Sequence, residues 1–193
     1  MELLTPSRYR VEQECPFFGK CGGCQFRHMA YEEELEAKRQ RIADALERVG
    51  RVQIPIPPVM GAEETDRYRN KVQFPVAEGR RGLAVGYYRP RSHDVLDIPD
   101  CLLQPPAVTR LRAAVRAWME RCAVPAYDEK TGEGLVRHLY VRSNSRGETL
   151  VCLVVNGTHL PEEQGLVDRL CGAESGLAGV VLNMNCRNTP SML

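Results

Sequence analysis

The stretch RNKVQFPVAEGRRGLAVGYY, residues 69–88, reads as two β-strands, RNKVQFPV and GLAVGYY, joined by the turn-like EGRR. β-Branched and aromatic residues fill both runs, and glycine brackets the turn. Downstream, LVRHLYVRSN (135–144) and ETLVCLVVN (148–156) form a second pair of β-rich runs around a short Ser-Arg-Gly connection. Two hairpins with helices between them predict an α+β fold on an antiparallel sheet rather than a parallel α/β fold.

The helices are visible on either side. Upstream, Tyr31, Leu35, Ile42, Leu46 and Val49 recur at helical spacing, with Glu32, Glu33, Glu36, Lys38, Arg39 and Arg41 on the other positions and Gly50 as a stop. IPIPPVMG (54–61) then breaks regular structure. Between the hairpins, Pro105 and Pro106 suit the first turn of a helix whose stripe is Val108, Leu111, Val115, Trp118, Met119 and Cys122, with Pro125 past its end. A short helix near Pro161 to Cys171 and a last strand in GVVLNMN (179–185) complete the pattern.

With 43% hydrophobic residues in 193, the chain can bury a sizeable core. No apolar run approaches the roughly 18 residues of a membrane span, and the N-terminus lacks the charged-then-apolar order of a secretory signal. The expected location is therefore the cytoplasm, with no membrane partner. A net charge of +1 gives no global sign of nucleic-acid binding, but charge is uneven. From Arg67 to His93 seven basic residues (Arg67, Arg69, Lys71, Arg80, Arg81, Arg89, Arg91) face one acid, Glu78, with Tyr68, Phe74, Tyr87 and Tyr88 interleaved.

Four of the eight cysteines show ligand-like spacing: Cys15, Cys21 and Cys24 in CPFFGKCGGC, and Cys101 in DIPDCLLQ. In a reducing cytosol these point to metal ligation rather than disulfides. Thiolates are soft donors, selecting zinc or an iron–sulfur cluster over magnesium or calcium. Structural zinc usually takes two short cysteine pairs, so C-x5-C-x2-C plus one remote cysteine is less usual for it, though zinc stays open. Gly19, Gly22 and Gly23 let the loop bend tightly around such a group. Cys122, Cys152 and Cys171 sit in apolar stripes and read as core residues, while Cys186 reads as inert.

CPFFGKCGGCQFRHMAYEEELEAKR, YRNKVQFPV, GYYRPRSHDVLDIPDCLLQ and GLVRHLYVR, in this order, resemble the S-adenosylmethionine-dependent RNA uracil-5-methyltransferases that carry a 4Fe-4S cluster. The likeness runs from about Pro6 to Pro190. It implies cluster ligation by Cys15, Cys21, Cys24 and Cys101, with every iron covered and the cluster structural. It also implies that residues 13–188 are the family's central, RNA-gripping domain. Residues 1–12 resemble the exit of an oligonucleotide-binding-like barrel, and 189–193 a junction to a Rossmann-like methyltransferase domain.

In that family the following domain binds S-adenosylmethionine and supplies a cysteine nucleophile and a carboxylate base. The thiolate adds to C6 of uracil, making C5 nucleophilic enough to take the methyl group. Here neither a glycine-rich cofactor fingerprint nor the family's Asp-Pro-Pro-Arg tract occurs; Gln104-Pro105-Pro106 is the nearest stretch. No catalytic residue is therefore assigned, and the chain alone is expected to be inactive.

The partner implied is RNA, 23S rRNA ahead of tRNA, with the chain as a monomer. A uridine presented for methylation must be unstacked, which needs cations for phosphates and flat groups for bases. Arg69, Lys71 and Arg91 are the phosphate candidates, Phe74 and Tyr87 the stacking candidates. Arg137 and His138 join them from the GLVRHLYVR match. Two other readings compete: a stand-alone RNA-binding module stabilised by a cluster or zinc, and an electron-transfer protein, against which the remote Cys101 counts.

Overall fold

The computed structural model describes residues 4–79 and 82–187. The chain falls into two compact units: the first comprises residues up to Gly19 together with Gly23–Glu64, the second Lys20–Gly22 together with the chain from Thr65 onward. The junction expected at 189–193 lies outside the described residues, as do Arg80 and Arg81 of the expected turn EGRR.

In the first unit, α1 (Tyr31–Asp44) runs on through one wider turn, Ala45–Val49, before Gly50. The expected apolar stripe lies on this helix, yet none of its residues is buried, and Ile42 and Val49 are 49% and 84% exposed. The prolines of IPIPPVMG give the following segment no helix or strand of its own, and its far end is fixed near the start of α1. There the Tyr31 hydroxyl accepts the Ala62 N–H at 2.7 Å, and a Cβ on Gly61 would sit 3.0 Å from Leu35 Cδ1. At the N-terminal side, Val11 N–H bonds the His28 carbonyl (3.0 Å) and Ala30 N–H bonds Tyr9 (2.8 Å), closing the base of the cysteine-bearing loop.

The second unit is a six-stranded sheet with two helices. Both expected hairpins form: β1 (Lys71–Gly79) with β2 (Gly82–Tyr88), and, beyond the three-residue β3 (Val95–Asp97) and α2 (Pro106–Arg121), β4 (Val136–Ser143) with β5 (Thr149–Val155). α3 (Glu163–Ala173) and β6 (Leu177–Met184) follow, and the strand order is β3-β2-β1-β4-β5-β6. The antiparallel expectation holds for every pair except β5 and β6, which run parallel. The connection between them carries α3, and a crossover of that length returns the chain in the same direction. β3 was too short to leave a periodic signal, and Gly86 makes its pairing possible: a Cβ there would lie 2.0 Å from the Leu96 carbonyl oxygen.

One face of the sheet and the two helices build the core. Val72, Phe74 and Val76 of β1, Leu139 and Val141 of β4, and Val151, Leu153 and Val155 of β5 meet the α2 stripe and α3's Leu166 and Leu170. All the expected α2 stripe residues are buried except Cys122, which is half-buried. Two tethers fix α2. Trp118, fully buried, donates its indole N–H to the Pro161 carbonyl at 3.0 Å. Arg112, also buried, donates to the Val85 carbonyl (2.7 Å) and pairs with Asp97, whose other oxygen takes Arg116 at 2.5 Å. A guanidinium so deep is tolerable only with such partners. No helix among the described residues is long and apolar enough to cross a membrane.

Candidate metal centre and nucleic-acid surface

None of the eight cysteines is in a disulfide. The four ligand candidates are all half-buried, Cys15 and Cys24 in the first unit, Cys21 and Cys101 in the second. Cys15 opens a turn, its carbonyl accepting Phe18 N–H at 3.1 Å, and Gly19 takes the left-handed conformation (φ 76°) that glycine adopts without steric cost. Of the cysteines read as core residues, Cys171 is instead exposed on α3.

Within the second unit, the segments carrying Cys21 and Cys101 are each held by hydrogen bonds. Gly22 N–H bonds the Tyr88 carbonyl (3.2 Å), holding the Cys21 segment at the end of β2. Cys101 is fixed by Arg67, whose guanidinium donates to the carbonyls of Cys101 and Gln104, each at 3.0 Å, and forms a two-pronged pair with Asp100 at 2.9 and 2.8 Å. That pair, helped by the Thr109 hydroxyl and opposed by burial, draws the Asp100 carboxyl down to about 2. Burial first, then the negative charge of Cys101 and more weakly that of Cys21, push the Tyr87 hydroxyl well above the ordinary tyrosine range, with Arg69 opposing. The same hydroxyl donates to Gln104 Oε1 at 3.2 Å.

Among the described residues no group of three or more His, Cys, Asp or Glu side chains is gathered so as to hold a metal ion. The donor chemistry nevertheless suits a sulfur-liganded group. Gln104 Nε2, a buried donor next to the Tyr87 hydroxyl, has no hydrogen-bond partner.

The basic segment divides into structural and exposed members. Arg67 and Arg69 are engaged around Cys101 and Tyr87, while Lys71, Arg89 and Arg91 are exposed. Phe74 is fully buried with its ring 5.3 Å from that of Tyr87, so it cannot stack on a base. Tyr87 shares that inward face and is half-buried, its hydroxyl turned to Gln104. Tyr68, by contrast, is 60% exposed.

Arg137 and His138 are both buried, at a break in the β4–β5 register between Val136 and His138. The break makes Arg137 a bulged extra residue, re-aimed off the regular alternation. Its guanidinium lies 4.2 Å above the Tyr127 ring and donates to the carbonyls of Asn185 (2.9 Å) and Arg187 (2.8 Å). Arg137 thus holds chain rather than ligand. For His138, burial first and the Arg137 charge second, with Glu129 opposing, lower the imidazole from 6.5 to about 4.

Because the unfolded chain binds that proton more readily, stability should fall as pH drops from about 6.5 towards 4. Denaturant midpoints measured at neutral pH and near pH 5 are expected to separate more in the wild type than in His138→Gln. Equal separation would show that His138 does not carry the effect.

The sheet face away from α2 and α3 carries a second group of basic and aromatic residues. Lys71 stands directly opposite Arg142, and Gln73 opposite Tyr140, which faces Cys152 on its other side. Lys71 and Arg142 are exposed, Tyr140 is half-buried, and Leu150 and Val181 beside them are 39% and 45% exposed. Tyr140 and Arg142 were missed as candidates because their significance comes from the β1–β4 pairing, which joins segments far apart in sequence.

No family model matches the chain. It is 37% identical over its whole length to a protein of Clostridium tetani named "uncharacterized RNA methyltransferase", covering 42% of that protein. A protein of the same description from Caldanaerobacter subterraneus is 34% identical over the whole chain, with 43% of the relative covered. One from Halalkalibacterium halodurans is 35% identical over 98% of the chain, covering 42% of the relative. Among solved structures, the Pyrococcus abyssi tRNA (uracil-54, C5)-methyltransferase, crystallised with S-adenosyl-L-homocysteine, superimposes with a TM-score of 0.72 at 19% identity, over 99% of this chain and 41% of that one. The chain spans about two fifths of the length of the curated relatives it matches, and over its whole length it is similar to proteins named RNA methyltransferases.

Proposed function

We propose that this chain is the RNA-holding part of a cytoplasmic, S-adenosylmethionine-dependent RNA uridine C5-methyltransferase acting on rRNA, 23S rRNA first. The observation that supports the reading is the whole-length similarity to proteins named RNA methyltransferases. In this reading Cys15, Cys21, Cys24 and Cys101 hold a 4Fe-4S cluster. With four thiolates bound it supplies a rigid staple and leaves no iron open to substrate. Methyl transfer, the C6-adding thiolate and the C5 base are assigned to the remainder of the longer protein.

The open sheet face is the part of this chain that fits RNA. Lys71 and Arg142, like charges placed directly opposite each other, repel when the face is bare. A phosphate laid across the pair offsets that repulsion. One row along, the Tyr140 ring offers a flat surface to an unstacked base, and exposed Arg91 in the turn after β2 adds a further cation.

Purified without oxygen, the chain is expected to contain iron and acid-labile sulfide and to retain single-stranded rRNA fragments on a filter without methylating them. Lys71→Ala and Arg142→Ala should each weaken retention about tenfold, or ~1.4 kcal/mol, and lower the salt dependence by about one ion. Tyr140→Ala should cost on the order of 1–3 kcal/mol with little change in salt dependence. Unaltered retention by all three variants would remove RNA from this face. Methylation by the 193-residue chain alone would overturn the assignment of the chemistry elsewhere.

A further inference from the structure

Among the described residues of the second unit, Tyr68 is the one aromatic side chain mostly open to solvent. Phe74, Trp118 and Tyr127 are buried, and Tyr87, Tyr88 and Tyr140 are half-buried. A single exposed tyrosine is ordinary on a loose stretch of chain. The stretch that carries Tyr68 is tied down on both sides of it.

Arg67 N–H bonds the Leu102 carbonyl at 2.7 Å, Arg69 N–H bonds the Leu103 carbonyl at 2.8 Å, and the Asn70 carbonyl accepts the Ser143 N–H at 2.9 Å. Arg67 itself takes the left-handed conformation, φ 57°, which a residue with a side chain adopts only at a cost. Its guanidinium holds it there, donating to both Asp100 oxygens at 2.9 and 2.8 Å and to the carbonyls of Cys101 and Gln104, each at 3.0 Å. Backbone in so sparsely populated a region persists where the surroundings over-determine it, and such places gather at binding surfaces. The residue presented by this brace is Tyr68.

Tyr68 stands three residues before Lys71, so their Cα atoms are at most about 11 Å apart. The bond between Asn70 and Ser143 sets the segment next to Arg142, the residue opposite Lys71 in the β1–β4 register. An exposed ring near two exposed cations has the chemistry of a single-strand site, in which cations take phosphates and a flat face takes a base. A ring on a backbone already fixed gives up little freedom on binding.

We propose that Tyr68 is a stacking platform for an unpaired RNA base, set near the phosphates taken by Lys71 and Arg142 and placed in advance by the Arg67 brace. The inference rests on the RNA-holding role of the proposed function and adds to it a contact outside the open sheet face. Every base has a flat face, so Tyr68 supplies affinity with little sequence preference.

The test is equilibrium binding of a mixed-sequence single-stranded oligoribonucleotide to the purified 193-residue chain over a range of salt, repeated with a strand of equal length made of abasic ribonucleotides. Tyr68→Ala is expected to weaken binding of the first strand about tenfold with no change in salt dependence, while Tyr68→Phe stays within about twofold of wild type. On the abasic strand wild type and Tyr68→Ala should bind alike. Tyr68→Ala binding the RNA as wild type does overturns the platform; a weakened Lys71→Ala in the same series leaves the RNA-holding reading standing. A wild type that binds neither strand at low salt overturns both. Equal losses in Tyr68→Phe and Tyr68→Ala, or an alanine loss that persists on the abasic strand, overturn stacking. Should Tyr68→Ala melt below the wild type, Tyr68→Trp decides: its exposed indole is expected to lose fluorescence as RNA binds, against constant emission from buried Trp118, and an unquenched indole overturns the platform.

Discussion

Cys101→Ser protein, purified without oxygen, is expected to lose at least ~90% of its iron and acid-labile sulfide and the brown colour that goes with them. A serine hydroxyl is a hard, protonated donor at neutral pH, a poor substitute for a thiolate toward iron. The position itself should survive the change, because Cys101 is held through its backbone: Arg67 donates to its carbonyl, and Asp100 and Gln104 brace the same turn. Loss of iron would therefore report a missing ligand rather than a collapsed loop. Cys122→Ser and Cys171→Ser, changed away from the proposed ligand set, should keep their full iron. Stoichiometric zinc without iron in the wild type would replace the cluster with a zinc site, and retained iron in Cys101→Ser would remove this residue from the ligand set.

Trp118→Ala should be the most damaging single change in the sheet-bearing unit, lowering stability by about 3–5 kcal/mol. The indole is fully buried in the core between α2 and the strands, and its N–H satisfies the Pro161 carbonyl just ahead of α3. Alanine removes the packing, opens a cavity and strands that carbonyl. For a chain of this size the melting temperature should drop by roughly 6–20 °C, followed by far-ultraviolet circular dichroism since the sole tryptophan is gone. Trp118→Phe restores most of the buried area but not the donor, and should cost about 1–2 kcal/mol. A loss below ~1 kcal/mol in the alanine variant would mean that the core closes over the gap.

Much of the sheet was legible because its signals are local. Residues 69–88 and 135–156 carry alternation and turn residues within each hairpin, and α2 announces itself with prolines at its start and an apolar stripe. What escaped depends on contacts between distant segments. The β5–β6 direction is set by where α3 docks, and β3 exists because Gly86 lets Leu96 approach. Phe74 and Tyr87 were grouped with the arginines by proximity in sequence, yet strand alternation turns them inward. Arg137 departs from alternation through a bulge that no composition rule marks. Around Cys101, the cysteine spacing singled out the thiol, whereas Gln104 and Arg67 acquired meaning only from their hydrogen bonds in the fold.

The seam between β1 and β4 has a kinetic side. β1–β2 and β4–β5 each close over a short turn, but Phe74 meets Leu139 only after β2, β3 and the whole of α2 have been accommodated between them. Loop closure over such a distance carries an entropy cost that must be met before the contact gives anything back. The hairpins can therefore assemble independently and early. Leu111 and Val115 of α2 lie in the core that both hairpins line, so a substitution such as Leu111→Ala is expected to slow refolding more than it speeds unfolding, as double-jump kinetics would show.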